Sequence, residues 1–172
     1  MAEPEPYRVL FLCTGNSARS PMAEALLNRW GRERFVAYSA GSTPKGFVHP
    51  QALAVLSQHR MPGDNLHSKH WQRFMAPEAP RLDFVFTLCD RAAREICPVW
   101  PGHPITANWS VPDPAAVATG GVEQAFRDAF RLINTRIKLF TSLRPELLER
   151  QCLRREVERI GRTRPTENDH HD

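Results

Sequence analysis

Short apolar runs and helical stripes alternate along most of this chain. Residues 7–12 (YRVLFL) are apolar and β-leaning, which predicts a short buried strand. Residues 13–20 (CTGNSARS) are small and polar and read as a loop. Pro21 then stands where the first turn of a helix tolerates proline. Met22, Ala25, Leu26 and Trp30 follow at helical spacing, with Gly31 as the stop. Residues 34–39 (RFVAYS) predict a second strand, closed by Ala40-Gly41, and residues 50–60 carry Ala52, Leu53 and Leu56 on one helical side. A third strand is expected over 82–88 (LDFVFTL), a short helix from Asp90 to Ile96, and a short fourth strand from Ile105 to Trp109. The longest helix is expected over 121–142, where Phe126, Phe130, Ile133, Ile137 and Phe140 form its core stripe.

The order β-loop-α-β-α-β-α-β-α predicts an α/β fold. It is a three-layer, doubly wound sheet of about four parallel strands with helices on both faces. Such sheets bind ligands at the carboxyl ends of their strands, where Cys13 and Cys89 both fall. Residues 1–142 read as one domain and 143–172 as a helical tail. In the tail Leu143, Leu153, Val157 and Ile160 share one side of a helix, and the last eight residues have the composition of a disordered end. That helix either packs on the body or mediates self-association. A monomer is expected, with a tail-mediated dimer as the alternative.

Composition changes little in this picture. The chain of 172 residues is 41% apolar and 24% charged, an ordinary mix for a globular domain that needs no disulfide or metal to fold. The longest strongly apolar run, Val9 to Cys13, is far too short for a membrane span. The N-terminus is acidic and broken by Pro4 and Pro6, unlike a signal peptide, so a cytoplasmic location and no membrane association are expected. The net charge is +4, but the basic residues are scattered, and the densest group, Arg144 to Arg164, is laced with glutamates. No basic stripe with interleaved aromatics supports nucleic-acid binding. Cysteines in a cytosolic chain point to catalysis, metal binding or simple burial rather than structural disulfides.

Chemistry concentrates in Cys13-Thr14-Gly15-Asn16-Ser17-Ala18-Arg19-Ser20, a Cys-x5-Arg loop between a strand and a helix. A loop of small residues can turn its N–H groups inward as an anion-binding nest, and the helix that follows adds the positive end of its dipole. Arg19 can close the nest with a planar fork that matches two oxygens. The same field is expected to lower the Cys13 pKa, with the Ser20 hydroxyl donating to the sulfur. The competing reading is a buried cysteine at a strand end beside a surface arginine.

The segment VLFLCTGNSARSPMAEALL resembles the active-site segment of low-molecular-weight tyrosine phosphatases and of the arsenate reductases that share their fold. Ser39-Ala40-Gly41, Val48-His49-Pro50, VFTLCDRAAREICPVWPG (85–102) and NWSVPDPAA (108–116) resemble the thiol-dependent arsenate reductases. The resemblance covers about residues 7–142. One departure is Ala18, where many relatives have a further cysteine. The resemblance implies a cytoplasmic enzyme of arsenical resistance that converts arsenate to arsenite. Phosphate and sulfate would compete for the loop, and no cofactor or metal would be needed. Phosphate and arsenate are near-isosteric, so a tyrosine phosphatase with Asp113 as general acid is the alternative. Those phosphatases carry an aromatic platform after their Asp-Pro, whereas Asp113-Pro114 is followed by Ala115 and Ala116. A non-catalytic oxyanion-binding module is a third reading, opposed by the complete Cys13, Arg19 and Asp113 set.

Cys89 and Cys97 are extra to a phosphatase. Two buried cysteines or a zinc site with His103 are the plain readings; the second lacks a close Cys-x2-Cys pair and a fourth ligand. The resemblance implies a relay instead. Cys13 attacks arsenic, Asp113 protonates the departing oxygen, Cys89 attacks Cys13, and Cys97 attacks Cys89. Thioredoxin or a glutathione/glutaredoxin system would reduce the final disulfide. Cys97 lies about two helical turns from Cys89, so pairing them requires that helix to loosen. Cys152 reads as a bystander. The resemblance also implies a potassium ion held by residues matching Asn16, Glu24 and Ser39. A further carboxylate belongs near His67-Ser68-Lys69, and this chain has Lys69 there. The ammonium of Lys69 is expected to replace the ion.

Overall fold

A computed structural model describes residues 4–95, 99–117 and 120–165. Four parallel strands, β1 (Tyr7–Cys13), β2 (Phe35–Gly41), β3 (Phe84–Thr87) and β4 (Ile105–Asn108), form one sheet in the order β2-β1-β3-β4. The helices between and after them are α1 (Arg19–Gly31), α2 (Pro50–Gln58), α3 (Asp90–Glu95), α4 (Val122–Ser142) and α5 (Arg150–Ile160). The alternation read from the sequence is therefore present. Three features were not legible in it: the strand order, the 3-10 turns at Trp71–Met75, Pro114–Ala116 and Pro145–Leu147, and the earlier start of α1.

Register follows from burial. β1 is central, and Val9, Leu10, Phe11 and Leu12 are buried on both faces. This is the continuous apolar run that a doubly covered parallel strand requires. Tyr7 pairs with Phe35, Val9 with Phe84 and Phe11 with Phe86, so the rings share one face. Phe140 of α4 closes that face, 4.9 Å from Phe35 and 5.3 Å from Phe86 between ring centroids. Trp109 stacks on Phe86 at 4.1 Å. On the other face Tyr38 meets Phe74 of the first 3-10 turn at 5.5 Å.

The expected core stripe of α4 is buried throughout, and Arg136 is buried with it. α5 packs on the body: Leu153, Val157 and Ile160 are buried, and the Trp109 indole N–H donates to the Val157 carbonyl at 2.9 Å. This is the body-packed alternative for the tail helix. Most of the end read as disordered, 166–172, lies outside the described residues, as does Ile96 at the expected end of α3.

The ladder continues past the strand ends. Leu88 N–H donates to the Leu12 carbonyl at 2.7 Å, Trp109 N–H to Thr87 at 2.7 Å, and Val111 N–H to Leu88 at 2.9 Å. Each extension carries one segment over the end of its neighbour. Cys89 and the segment leading to Asp113 are thereby brought to the end of β1, where Cys13 sits.

Candidate active site

The loop after β1 is shaped from outside. Thr43 N–H donates to the Thr14 carbonyl at 2.9 Å, Lys45 N–H to Gly15 at 2.9 Å and His49 N–H to Ser17 at 2.7 Å. Those three carbonyls are taken up by the segment after β2, while the N–H groups of Asn16 and Ser20 are directed at the Cys13 sulfur. His49 also caps α2, its Nδ1 accepting from Gln51 N–H at 3.0 Å. Asn16 is fully buried and has φ +44, a left-handed conformation that asparagine tolerates better than most residues. Its side chain is fixed at both ends: Nδ2 donates to Ser20 Oγ at 2.8 Å, and Oδ1 accepts from Lys69 N–H at 2.8 Å. Gly41 ends β2 against the loop. A Cβ there would lie 2.6 Å from the Thr14 carbonyl oxygen and 2.9 Å from that of Cys13.

Cys13 is buried, with Sγ 2.9 Å from Ser20 Oγ. Burial raises its thiol pKa. The Ser20 hydroxyl, the Arg19 charge and the Ser20 and Asn16 N–H groups work against that rise. The net direction is opposite to the expected lowering, because the sequence shows the stabilising field but not the depth at which the sulfur sits. Cys13 alkylation by iodoacetamide is therefore expected to increase with pH, with a midpoint above that of an ordinary thiol. Ser20→Ala should move the midpoint further up. A midpoint below neutrality, read by mass spectrometry of the labelled peptide, would contradict this.

Arg19 opens α1 and is 9% exposed, so its fork is held rather than free. Nη1 donates to the Val111 carbonyl at 3.0 Å, and Nη2 lies 3.9 Å from Asp113 Oδ2. Asp113 is exposed at the cleft, and its Oδ1 accepts from Ala115 N–H at 3.0 Å. The cleft, about 460 Å³, is lined by the loop from Cys13 to Arg19 and by Cys89 and Asp113, together with Thr43, Lys45 and Arg91. Among the described residues, no aromatic side chain lines it. Lys45 and Arg91 were not singled out from the sequence. Lys45 was detectable only through the close packing of its side chain on Gly15, and Arg91 only through its place beside Cys89.

Cys89 is 6% exposed at the start of α3. Its Sγ lies 3.4 Å from Thr14 Oγ1 and accepts from Ala92 N–H at 3.3 Å. The structure thus brings Cys13 and Cys89 to one cleft. Cys97 lies outside the described residues. Cys152 is half-buried on α5, where Arg155 Nη2 donates to its Sγ at 3.4 Å. Among the described residues, no cluster of three His, Cys, Asp or Glu side chains is placed to hold a metal ion.

Beneath the loop lies a second polar cluster. Ser39 Oγ donates to Glu24 Oε1 at 2.8 Å. Lys69 Nζ donates to the Ser39 and His67 carbonyls at 2.9 and 2.6 Å and lies 4.0 Å from Glu24 Oε1. The Lys69 side chain is 14% exposed. Burial raises the Glu24 pKa, opposed by Ser39 and Lys69, and lowers that of Lys69, opposed by Glu24. An ammonium already stands among these oxygens, so a potassium ion does not fit beside it.

A strand, a loop around a buried cysteine and a helix that opens on arginine are the parts from which an anion-binding nest is built. Residues 8–156 match the family model of low molecular weight phosphotyrosine protein phosphatase, and the chain belongs to that family. Its relatives include the arsenate reductase of Oceanobacillus iheyensis, 35% identical over 77% of this chain and 93% of the relative. Arsenate reductase 2 of Bacillus cereus is also 35% identical, over 77% of this chain and 92% of its own. Among solved structures, an arsenate reductase in the phosphate binding state superposes with a TM-score of 0.67 at 25% identity, covering 79% of this chain and 97% of that one. A low molecular weight protein tyrosine phosphatase from T. tengcongensis shares the fold, with a TM-score of 0.61 at 24% identity over 80% and 99% of the two chains.

Proposed function

We propose that this protein reduces arsenate to arsenite by a thiol relay. The observation that carries the reading is the cleft itself. A second cysteine, Cys89, stands against Thr14 of the loop, and no aromatic side chain among the described residues lines the cleft to stack on a phosphotyrosine ring. The 35% identical arsenate reductases support the same choice.

Arsenate binds to the N–H groups of residues 14–20 and the fork of Arg19. The Cys13 proton passes to a bound oxygen of the dianion, which offsets the unfavourable burial of a lone thiolate. Cys13 Sγ attacks arsenic, and Asp113 protonates the oxygen that leaves as water. Cys89 Sγ then attacks Cys13 Sγ. The S–As electron pair stays on arsenic, so arsenic falls from the +5 to the +3 state while two thiols become one disulfide. Cys97 takes over Cys89 by thiol-disulfide exchange, and an external dithiol, thioredoxin or a glutathione/glutaredoxin system, restores the enzyme. The electrons come from thiols throughout. Residues 1–142 carry this chemistry and 143–172 form the tail of a cytoplasmic monomer. No helix among the described residues is long and apolar enough to cross a membrane.

The phosphatase reading rests on the family itself, since Cys13, Ser20, Arg19 and Asp113 suffice for phosphoryl transfer. Arsenate-dependent thiol oxidation, run beside hydrolysis of an aryl phosphate, separates the two. Fast reduction with slow hydrolysis supports the reductase, and the reverse supports the phosphatase.

Lys69 supplies the charge that potassium supplies in the reductases this chain resembles. Activity is expected to be equal in potassium, sodium and tetramethylammonium salts at one ionic strength. Lys69→Ala should weaken arsenate binding about three- to tenfold, toward the lower end of the coupling found between residues in one hydrogen-bond network. A large potassium-specific activation of the wild type would overturn this role.

A further inference from the structure

Arg136 is 4% exposed on the apolar side of α4. It is met there by carbonyls: Nη1 donates to Trp109 and Ser110 at 2.8 and 2.9 Å, and Nε to Thr163 at 3.2 Å. Burial, with a contribution from the Arg164 charge, pulls its pKa down to about 10. It therefore remains a cation at neutral pH. A buried charge is poor as packing alone, because an apolar side chain of similar volume serves a core as well or better.

The carbonyls identify what the charge holds. Trp109 and Ser110 begin the segment that ends at Asp113. The next carbonyl along, that of Val111, accepts from Arg19 Nη1 at 3.0 Å. Arg19 Nη2 lies 3.9 Å from Asp113 Oδ2. The segment is thus gripped from the cleft side by Arg19 and from the core side by Arg136. The tail completes the grip. Thr163, just past α5, gives Arg136 its third acceptor, and the Val157 carbonyl of α5 holds the Trp109 indole at 2.9 Å. Gly161, at the end of α5, lies so close that a Cβ on it would stand 2.6 Å from the Asn108 carbonyl oxygen and 2.8 Å from Trp109 Cδ1.

We propose that Arg136 and the end of α5 are positioning elements of the active site. They fix the backbone of residues 109–111, and through the Val111 carbonyl they set the fork of Arg19 and the place of Asp113. The proposal rests on the oxyanion-binding and acid roles given to those two residues above.

The test is calorimetric binding of inorganic phosphate and arsenate turnover, measured on the full chain. Arg136→Lys keeps the charge but lacks the fork that spans three carbonyls. It is expected to weaken phosphate binding about tenfold, as a displaced clamp does at a distance from the reacting atoms. Gly161→Ala wedges α5 away from Asn108 and Trp109 without touching Arg19 or Asp113, and should weaken binding about threefold and lower the melting temperature. In an Arg19→Lys background, Arg136→Lys should add no further loss, because the fork it sets is already gone. Wild-type phosphate affinity in Arg136→Lys and Gly161→Ala would overturn the proposal, whatever their stability. A loss fully additive with that of Arg19→Lys would also overturn it. If Arg136→Lys does not fold, Gly161→Ala decides alone. Undiminished arsenate turnover in Asp113→Asn would refute the acid role instead, and the phosphate measurements would stand apart from that result.

Discussion

Cys13→Ser is expected to lower arsenate turnover at least about a thousandfold while leaving phosphate bound, since it removes the nucleophile but not the loop. A serine hydroxyl in this position has a far higher pKa than a thiol, and the burial that raises the Cys13 pKa would raise it further. The Ser20 hydroxyl at 2.9 Å and the charge of Arg19 cannot offset both effects. Steady-state reduction with excess thiol reductant gives the rate, and calorimetry with phosphate reports whether the loop is intact. Turnover within tenfold of wild type would remove Cys13 from the mechanism. Loss of phosphate binding as well would mean that the substitution had damaged the loop.

The relay gives the second large effect. Cys89→Ser should stop multiple turnover, because the thiol placed against Thr14 has gone and no other described cysteine lines the cleft beside Cys13. Cys97→Ser should allow one turnover and then accumulate a Cys13–Cys89 disulfide, visible by peptide mapping of arsenate-treated protein. Hydrolysis of an aryl phosphate needs neither thiol and should survive both changes. Sustained reductase activity in Cys89→Ser, or a Cys13–Cys152 bridge in the wild type, would sink the relay. Cys152 sits on α5 beside Arg155 and does not line the cleft.

Local chemistry was legible in the sequence, and distance was not. The apolar run of β1, the loop after it and the stripe of α4 could be read because each is a pattern within one element. So could Cys13, Arg19 and Ser20, which lie within eight consecutive residues. Glu24, Ser39 and Lys69 were named only through a family likeness, yet they lie together beneath the loop, 2.8 to 4.0 Å apart in their key contacts. Arg136 was missed because a lone arginine in an amphipathic helix ordinarily marks its wet side. Nothing in the residues around it shows that three carbonyls from two distant segments converge there. The direction of the Cys13 pKa was misread for a related reason: charges and dipoles can be counted along a chain, whereas burial is a property of the assembled core.

The contact between Gly41 and the loop bears on how the family can vary. Because a Cβ at residue 41 would meet the Thr14 and Cys13 carbonyl oxygens at 2.6 and 2.9 Å, the shape of the loop depends on a residue that the Cys-x5-Arg signature does not contain. A chain with the signature intact and alanine at this site would pass a motif search yet be unable to close the loop in this form. Drift at residue 41 should therefore be tolerated only together with a shift of the turn at residues 14–16. Ancestral reconstruction or deep mutational scanning of the two segments jointly would show this as strong epistasis between positions on neighbouring strand ends.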